Sequence, residues 1–252
     1  MTSEMIQKLM ITAALIVIIV GVVGYQLSQM QTQNYAEEVT YATTLLKQAG
    51  DFIRTHASHG GQTKLGTRLQ FGSIKLTPQG MCLVRFDVGG GNIITLYQGA
   101  YTQLRYESPH AMYGETWIFD RGDRPRAFTT TPDHIDAVYR YSMGGYTYVS
   151  LRTATYVALT RTQGALTLSI YVFYLDSASK GGAGTFTLNT NTESVVEHLR
   201  FMATTGASPA LYIQTGVDST GRLLEEQVPL PPLNAGDLID ASVNLVSVSI
   251  AW

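Results

Sequence analysis

From Leu9 to Ala36 the chain carries no charged side chain, a run of about 28 residues that would span roughly 42 Å as an α-helix. Residues 9–23 are the strongly apolar part, with Leu9, Met10, Ile11, Leu15, Ile16, Ile18, Ile19, Val20, Val22 and Val23 spread over every face. Residues 24–34 are polar without being charged. A hydrocarbon core about 30 Å thick needs only about 20 helical residues. No proline precedes Pro78, so nothing forces a break. Beyond the uncharged run, Ala42, Leu45, Leu46, Ala49, Phe52 and Ile53 recur at helical spacing, with Glu37, Glu38, Lys47, Gln48, Asp51 and Arg54 mainly between them. The pattern predicts a single helix over residues 3–57, stopped by Ser-His-Gly-Gly at 58–61. Its first half is apolar nearly all round. Its second half has one apolar stripe, which packs on the later part of the same chain.

From Leu65 the period changes to alternation. Strands are expected at 69–76, 81–88 and 93–98, joined by a Pro-Gln-Gly turn at 78–80 and a glycine-rich hairpin loop at 88–91. Residues 107–134 read as irregular loop with short extended pieces. Further strands are expected at 137–143, 146–151, 154–160 and 165–175, separated by Gly-Gly, a short kink and Thr-Gln-Gly. A flexible loop at 177–184 precedes a strand that begins at 185–189, and residues 192–203 suit either helix or strand. Residues 210–224 read as strand then turn, 228–236 as a proline-rich connection, and 242–252 as a closing strand. The expected class is α+β: a helix over 1–57, a linker over 58–64, and an outer all-β domain over 65–252 resembling an immunoglobulin-like sandwich.

Composition sharpens this picture. Charged residues make up only 14% of the 252, against roughly 25% in ordinary soluble domains, while 45% are hydrophobic. Plentiful β-branched and aromatic residues argue against disorder. The formal net charge of -2 gives no electrostatic case for nucleic acid as a partner. Cys82 stands alone, so no intrachain disulfide forms, and its place in Gly-Met-Cys-Leu-Val-Arg-Phe suits a small buried strand residue. The first eight residues hold one base and one acid, and no Ala-x-Ala pattern follows the apolar run, so the segment is expected to be retained. Lys8 before the run and Glu37 and Glu38 after it place the N-terminus in the cytoplasm and the β-domain outside.

No catalytic fingerprint emerges, and neither an enzyme activity nor a cofactor is expected. His56 and His59 sit at i,i+3 without a third ligand nearby, and a helix C-terminus favours histidine through its dipole. Asp120, Asp123, Asp133 and Asp136 lack the regular spacing of a calcium loop. Arg121-Gly122-Asp123 reads as a tight turn. There is no G-x-S-x-G, no H-E-x-x-H and no phosphate-binding loop. Tyr139, Tyr141, Tyr146, Tyr148, Tyr171 and Tyr174 read as cross-strand pairs and core, with hydroxyls reaching the surface and suited to contacts between subunits.

An uncharged apolar helix running into an amphipathic one, followed by a β-rich remainder, resembles the type IV pilin superfamily, archaeal pilins more than bacterial ones. The resemblance implies a subunit that sits in the cell membrane before assembly and then enters an extracellular filament through the assembly machinery. Helices of many copies then pack together along residues 9–24, with Gly21 and Gly24 permitting close approach. Bacterial members neutralise a neighbour's terminal amine with a glutamate near the mature start, and Glu4 is the residue here that would take that part. Adhesion or surface attachment is the expected role, with further copies of the chain as the main partner and no nucleic acid. The alternative is a monomeric, single-pass membrane-anchored protein, like a minor pilin or archaellum stator, whose outer β-domain binds a partner.

Overall fold

A computed structural model of the chain describes residues 2–57, 59–89, 91–122, 124–177, 185–203, 209–217 and 221–251. Helix α1 spans Thr2–His56 without interruption. It ends where Gly60, at φ 70°, turns the chain and donates its N–H to the His56 carbonyl at 3.0 Å. The described strands are β1 (Gly61–Gly66), β2 (Ser73–Asp87), β3 (Ile93–Ser108), β4 (Ile118–Arg121), β5 (Phe128–Thr129), β6 (Asp136–Met143) and β7 (Tyr146–Thr153). They continue with β8 (Thr155–Thr162), β9 (Ala165–Ser177), β10 (Thr185–Met202), β11 (Ala210–Val217), β12 (Leu223–Val228) and β13 (Leu238–Ala251). A 3₁₀ turn, Pro132–His134, precedes β6.

The molecule is thus α+β, a long apolar helix followed by an all-β domain of two curled sheets. One sheet has the order β1-β10-β13-β9-β8-β5 and the other β12-β11-β2-β3-β7-β6-β4. Most neighbours are antiparallel. β9 and β13 instead run parallel along their whole length, from Ala165↔Leu238 to Ser177↔Ile250. That pairing, and the number of strands, make the domain larger and more mixed than the seven to nine antiparallel strands of an immunoglobulin domain.

Two compact units divide the chain, Met1–Thr40 and Tyr41–Trp252, so the last turns of α1 belong with the sheets. Within the second unit there are two cores. The first lies between the sheets and joins Val84, Phe86, Leu211 and Ile213 to Leu168, Ile170, Ile239 and Val243. The second surrounds the end of α1. A Cβ on Gly50 would lie 3.2 Å from Leu151 of β7, and Thr190 and Thr192 of β10 donate their hydroxyls to the carbonyls of His56 and Ala57. Strand alternation puts buried Leu104, Val149 and Leu151 on one side of this core, and buried Phe186, Leu188, Val248 and Ile250 on the other.

Three expectations are corrected and one open alternative is resolved. Pro-Gln-Gly at 78–80 does not reverse the chain: β2 runs through it, and the register with β3 slips between Pro78 and Met81 as a bulge, with Gly80 at φ 112°. β3 correspondingly continues to Ser108 instead of ending at 98. In the stretch 192–203, which suited either helix or strand, residues 192–202 are strand. The helical look of Val196 and Leu199 comes from a second irregularity, since their partners Val243 and Ala241 are only two apart. β1 occupies most of the segment read as a linker at 58–64, paired along its length with β10. The loop expected at 177–184 falls largely outside the described residues.

Candidate functional site

The apolar part of α1 is exposed on all sides. Val17 is 71% accessible, Ile18 61%, Ile19 57% and Val20 64%, and four consecutive helical residues sample every face. Leu9, Met10, Ile11, Leu15, Ile16, Val22, Val23, Leu27 and Met30 are exposed as well. By length and composition the helix can cross a membrane. Three of its threonines bond within the helix: Thr12 donates to the Lys8 carbonyl at 2.8 Å, Thr32 to Ser28 at 3.0 Å and Thr40 to Ala36 at 2.8 Å. Such bonds lower the cost of placing threonine in an apolar medium. A Cβ added to Gly21 or Gly24 would meet nothing within 4 Å, so nothing inside the chain requires glycine there. The side chain of Glu4 lies outside the described residues.

The C-terminal stripe behaves differently. Ala42, Leu45, Leu46, Ala49, Phe52 and Ile53 are all buried. A polar clamp fixes this part of the helix in register. Arg121 of β4 donates through Nη1 to Asp51 Oδ1 at 2.9 Å and through Nη2 to Asp51 Oδ2 at 3.0 Å. Its Nη1 also reaches Asp136 Oδ2 at 2.8 Å and the Lys47 carbonyl at 3.2 Å. Burial works against the Arg121 charge, but the hydrogen bonds to Asp51 and Asp136 outweigh it and hold its pKa above the ordinary value. Asp51 also pairs with Arg54 at 2.5 Å, and Tyr41 donates its hydroxyl to the Gly66 carbonyl at 2.6 Å. Sequence reading did not single out Arg121, Asp136 or Gly50 as a clamp. The one local signal was Gly50, an isolated glycine in a helical pattern, which marks close approach of another element.

The remaining candidates resolve into structural roles. His56 Nδ1 lies 3.0 Å from the Phe52 carbonyl, with its ring against Phe52. Of the aspartates, Asp120 pairs with Arg140 at 2.9 Å, Asp133 with Arg54 at 3.8 Å and Asp136 with Arg121; Asp123 lies outside the described residues. Among the described residues no group of three His, Cys, Asp or Glu side chains is placed to hold a metal ion. Burial pushes the Cys82 thiol up to about 12, which leaves it protonated and unreactive at neutral pH. The tyrosines form a ladder across β6 and β7: Trp117 stacks on Tyr139 at 4.1 Å, Tyr139 on Tyr141 at 6.0 Å, Tyr141 on Tyr148 at 5.1 Å and Tyr148 on Tyr146 at 6.3 Å. Tyr139 and Tyr141 are buried within it, whereas Tyr146 is exposed. Tyr156 and Tyr171 make a second cross-strand pair, at 5.7 Å.

Comparison of the chain with protein-family models, with curated proteins and with solved structures finds no match.

Proposed function

We propose that the chain is the structural subunit of an extracellular helical filament of the archaeal type IV pilus kind. Residues 9–34 of each copy pack against the same residues of its neighbours. One observation carries this reading: an apolar stretch exposed on every face belongs to the same unbroken helix whose last turns are locked into a β-domain. Covering one large apolar side chain is worth about 1.5–3 kcal/mol, so leaving ten or more of them in water is untenable. Lipid can cover residues 9–23, but it offers nothing to the Gln, Asn and Ser side chains of residues 24–34. Neighbouring helices satisfy both requirements, since apolar surfaces interlock and neutral amides hydrogen-bond to one another. The absence of charge across 9–36 fits a bundle interior, where an unpaired charge costs several kcal/mol. The subunit is first held in the membrane by the same helix, and the β-domain forms the outer surface through which the filament attaches.

The second reading, a single-pass protein whose β-domain works alone, rests on the ability of residues 9–23 to anchor by themselves. Shearing cells that express the chain and imaging the released material separates the two. Filaments composed of this chain are expected, and Ile16→Asp or Ile19→Asp is expected to abolish them. Retention of the chain solely in membranes as a monomer overturns the filament and favours the tethered form.

A further inference from the structure

We infer that α1 pairs with α1 of a second copy of the chain, parallel and in register, along a seam through Val20, Val23, Leu27, Met30 and Asn34. The pair rests on the membrane-held subunit that both readings above share. It goes beyond them, since neither a filament of neighbouring helices nor a β-domain working alone requires an in-register pair.

The seam is set outside the strongly apolar part. Lipid covers residues 9–23 from any direction, so the apolar side chains there do not choose a face. Within residues 24–34 the aliphatic side chains are Leu27 and Met30, 56% and 58% accessible. They are three residues apart and share one face, whereas Gln26, Ser28, Gln29 and Gln31 surround them with polar groups. Alternate steps of four and three residues back from Leu27 reach Val23, Val20, Ile16, Ala13 and Leu9, all apolar. A step of four on from Met30 reaches Asn34, which is exposed. A repeat of 3.5 residues held over more than three heptads is the pattern by which two helices wrap around each other.

The residues beside the seam make a second copy the occupant. Gln26 and Gln31 face each other across a parallel, in-register pair, and as neutral amides they hydrogen-bond where two like charges would repel. Asn34 occupies a seam position, and a lone seam asparagine bonds to its counterpart, which fixes register and favours two strands. Copies inserted by one route point the same way, so the pair is parallel. Towards the N-terminus, Leu9, Thr12, Ala13 and Ile16 frame an open depression on the helix surface. Their i, i+3, i+4, i+7 spacing is the outline of a socket for a side chain of the facing helix, and the small Ala13 lets the two backbones approach. Each large apolar seam residue hides about 60–120 Å² when covered. The six such residues on each copy, Leu9, Ile16, Val20, Val23, Leu27 and Met30, bring a pair to about 700–1,400 Å², which reaches into the range of specific interfaces at about 1,200–2,000 Å².

Disulfide formation by the full chain in isolated membranes, after filaments are sheared away, tests the pair. Cys82 is buried, so a cysteine added on α1 is the thiol that reacts. A disulfide needs Cβ atoms about 3.5–4.5 Å apart, so under mild oxidation Leu27→Cys and Met30→Cys are expected to give at least about fivefold more linked dimer than Gln29→Cys and Thr32→Cys, which point away from the seam. Adding Met30→Glu to Leu27→Cys sets two like charges face to face and is expected to lower its dimer about fivefold, while adding Gln29→Glu leaves it unchanged. Equal yields at all four positions overturn the inference, because the copies then meet without a preferred face. Higher yields at Gln29 and Thr32 overturn it, as does the absence of dimer at all four. Filaments without the seam pattern overturn the pair alone. The seam pattern in a chain that never forms filaments supports the pair and overturns the filament.

Discussion

Arg121 and Asp51 face each other as a two-pronged ion pair, Nη1 to Oδ1 at 2.9 Å and Nη2 to Oδ2 at 3.0 Å. The pair joins the last turns of α1 to the edge strand β4 across 70 residues of sequence. Bidentate geometry fixes direction as well as distance, so the pair sets the rotation of the helix about its own axis. Apolar packing of Leu46 and Ile53 supplies adhesion but tolerates sliding. The guanidinium does not.

Replacing Arg121 by Met leaves the Asp136 carboxylate, whose side chain is 0% accessible, without its cation. Removing one partner of a buried pair typically costs about 3–5 kcal/mol. Urea unfolding of Arg121→Met should show a loss of that order. Arg121→Met combined with Asp136→Asn should recover part of it, because the stranded charge is then gone.

Gly50→Ala should destabilise, against the usual trend. In an exposed helix the change gains about 1 kcal/mol. Here the new Cβ would stand 2.3 Å from Asp136 Oδ2 and 3.2 Å from Leu151 Cδ1, and Asp136 is pinned by Arg121. Overpacking of this kind costs about 1–3 kcal/mol, so the net sign is expected to invert. The denaturation midpoint measures it.

Cys82 makes folding sensitive to alkali. Its pKa rises from 9.0 for a solvated thiol to about 12 in the folded chain, chiefly through burial and against a small opposing hydrogen bond with Thr155. Between those values the unfolded chain has lost the thiol proton and the folded chain has kept it, so stability falls as pH rises from about 9 towards about 12. Buried Tyr101 and Tyr139, also raised mainly by burial, act in the same direction. A disulfide reagent at pH 8 should leave the folded thiol untouched and react at once after unfolding in guanidinium. Cys82→Ala should flatten the first part of the alkaline decline.

Gly24→Leu separates the needs of a subunit from those of an assembly. Nothing in the chain lies within 4 Å of the added Cβ, so the detergent-solubilised monomer should keep its helix content and melting temperature. If neighbouring helices close on that position, the same variant yields no filaments in electron micrographs. Filaments formed as readily as by the wild type would remove Gly24 from the proposed contact.

The helix and the strands from β6 to β9 were legible because their signals are local. An uncharged run of about 28 residues without proline has few other solutions, and Gly144-Gly145, at φ 61° and 86°, closes the β6–β7 turn that the dipeptide announced. Pro78 misled because turn chemistry and bulge chemistry use the same residues; what kept β2 straight is pairing with β3 on both sides of the irregularity. Val196 and Leu199 left helix and strand both open for a related reason, since an extra residue in a strand imitates helical spacing. The clamp depends on neighbours 15 to 74 positions apart, which no local pattern encodes.

β13 lies between β10 and β9 in the middle of its sheet, bonded to both. β1, which follows directly on α1, joins that sheet only through β10. The ribosome therefore delivers the central plank of the sheet after every strand that must flank it. Contacts so distant along the chain close slowly. β1 and the end of α1 must wait, unclamped on one side, until β13 has emerged. On the proposed reading, in which the β-domain is exported across a bilayer, that order keeps the body threadable during export and postpones its locking to the far side.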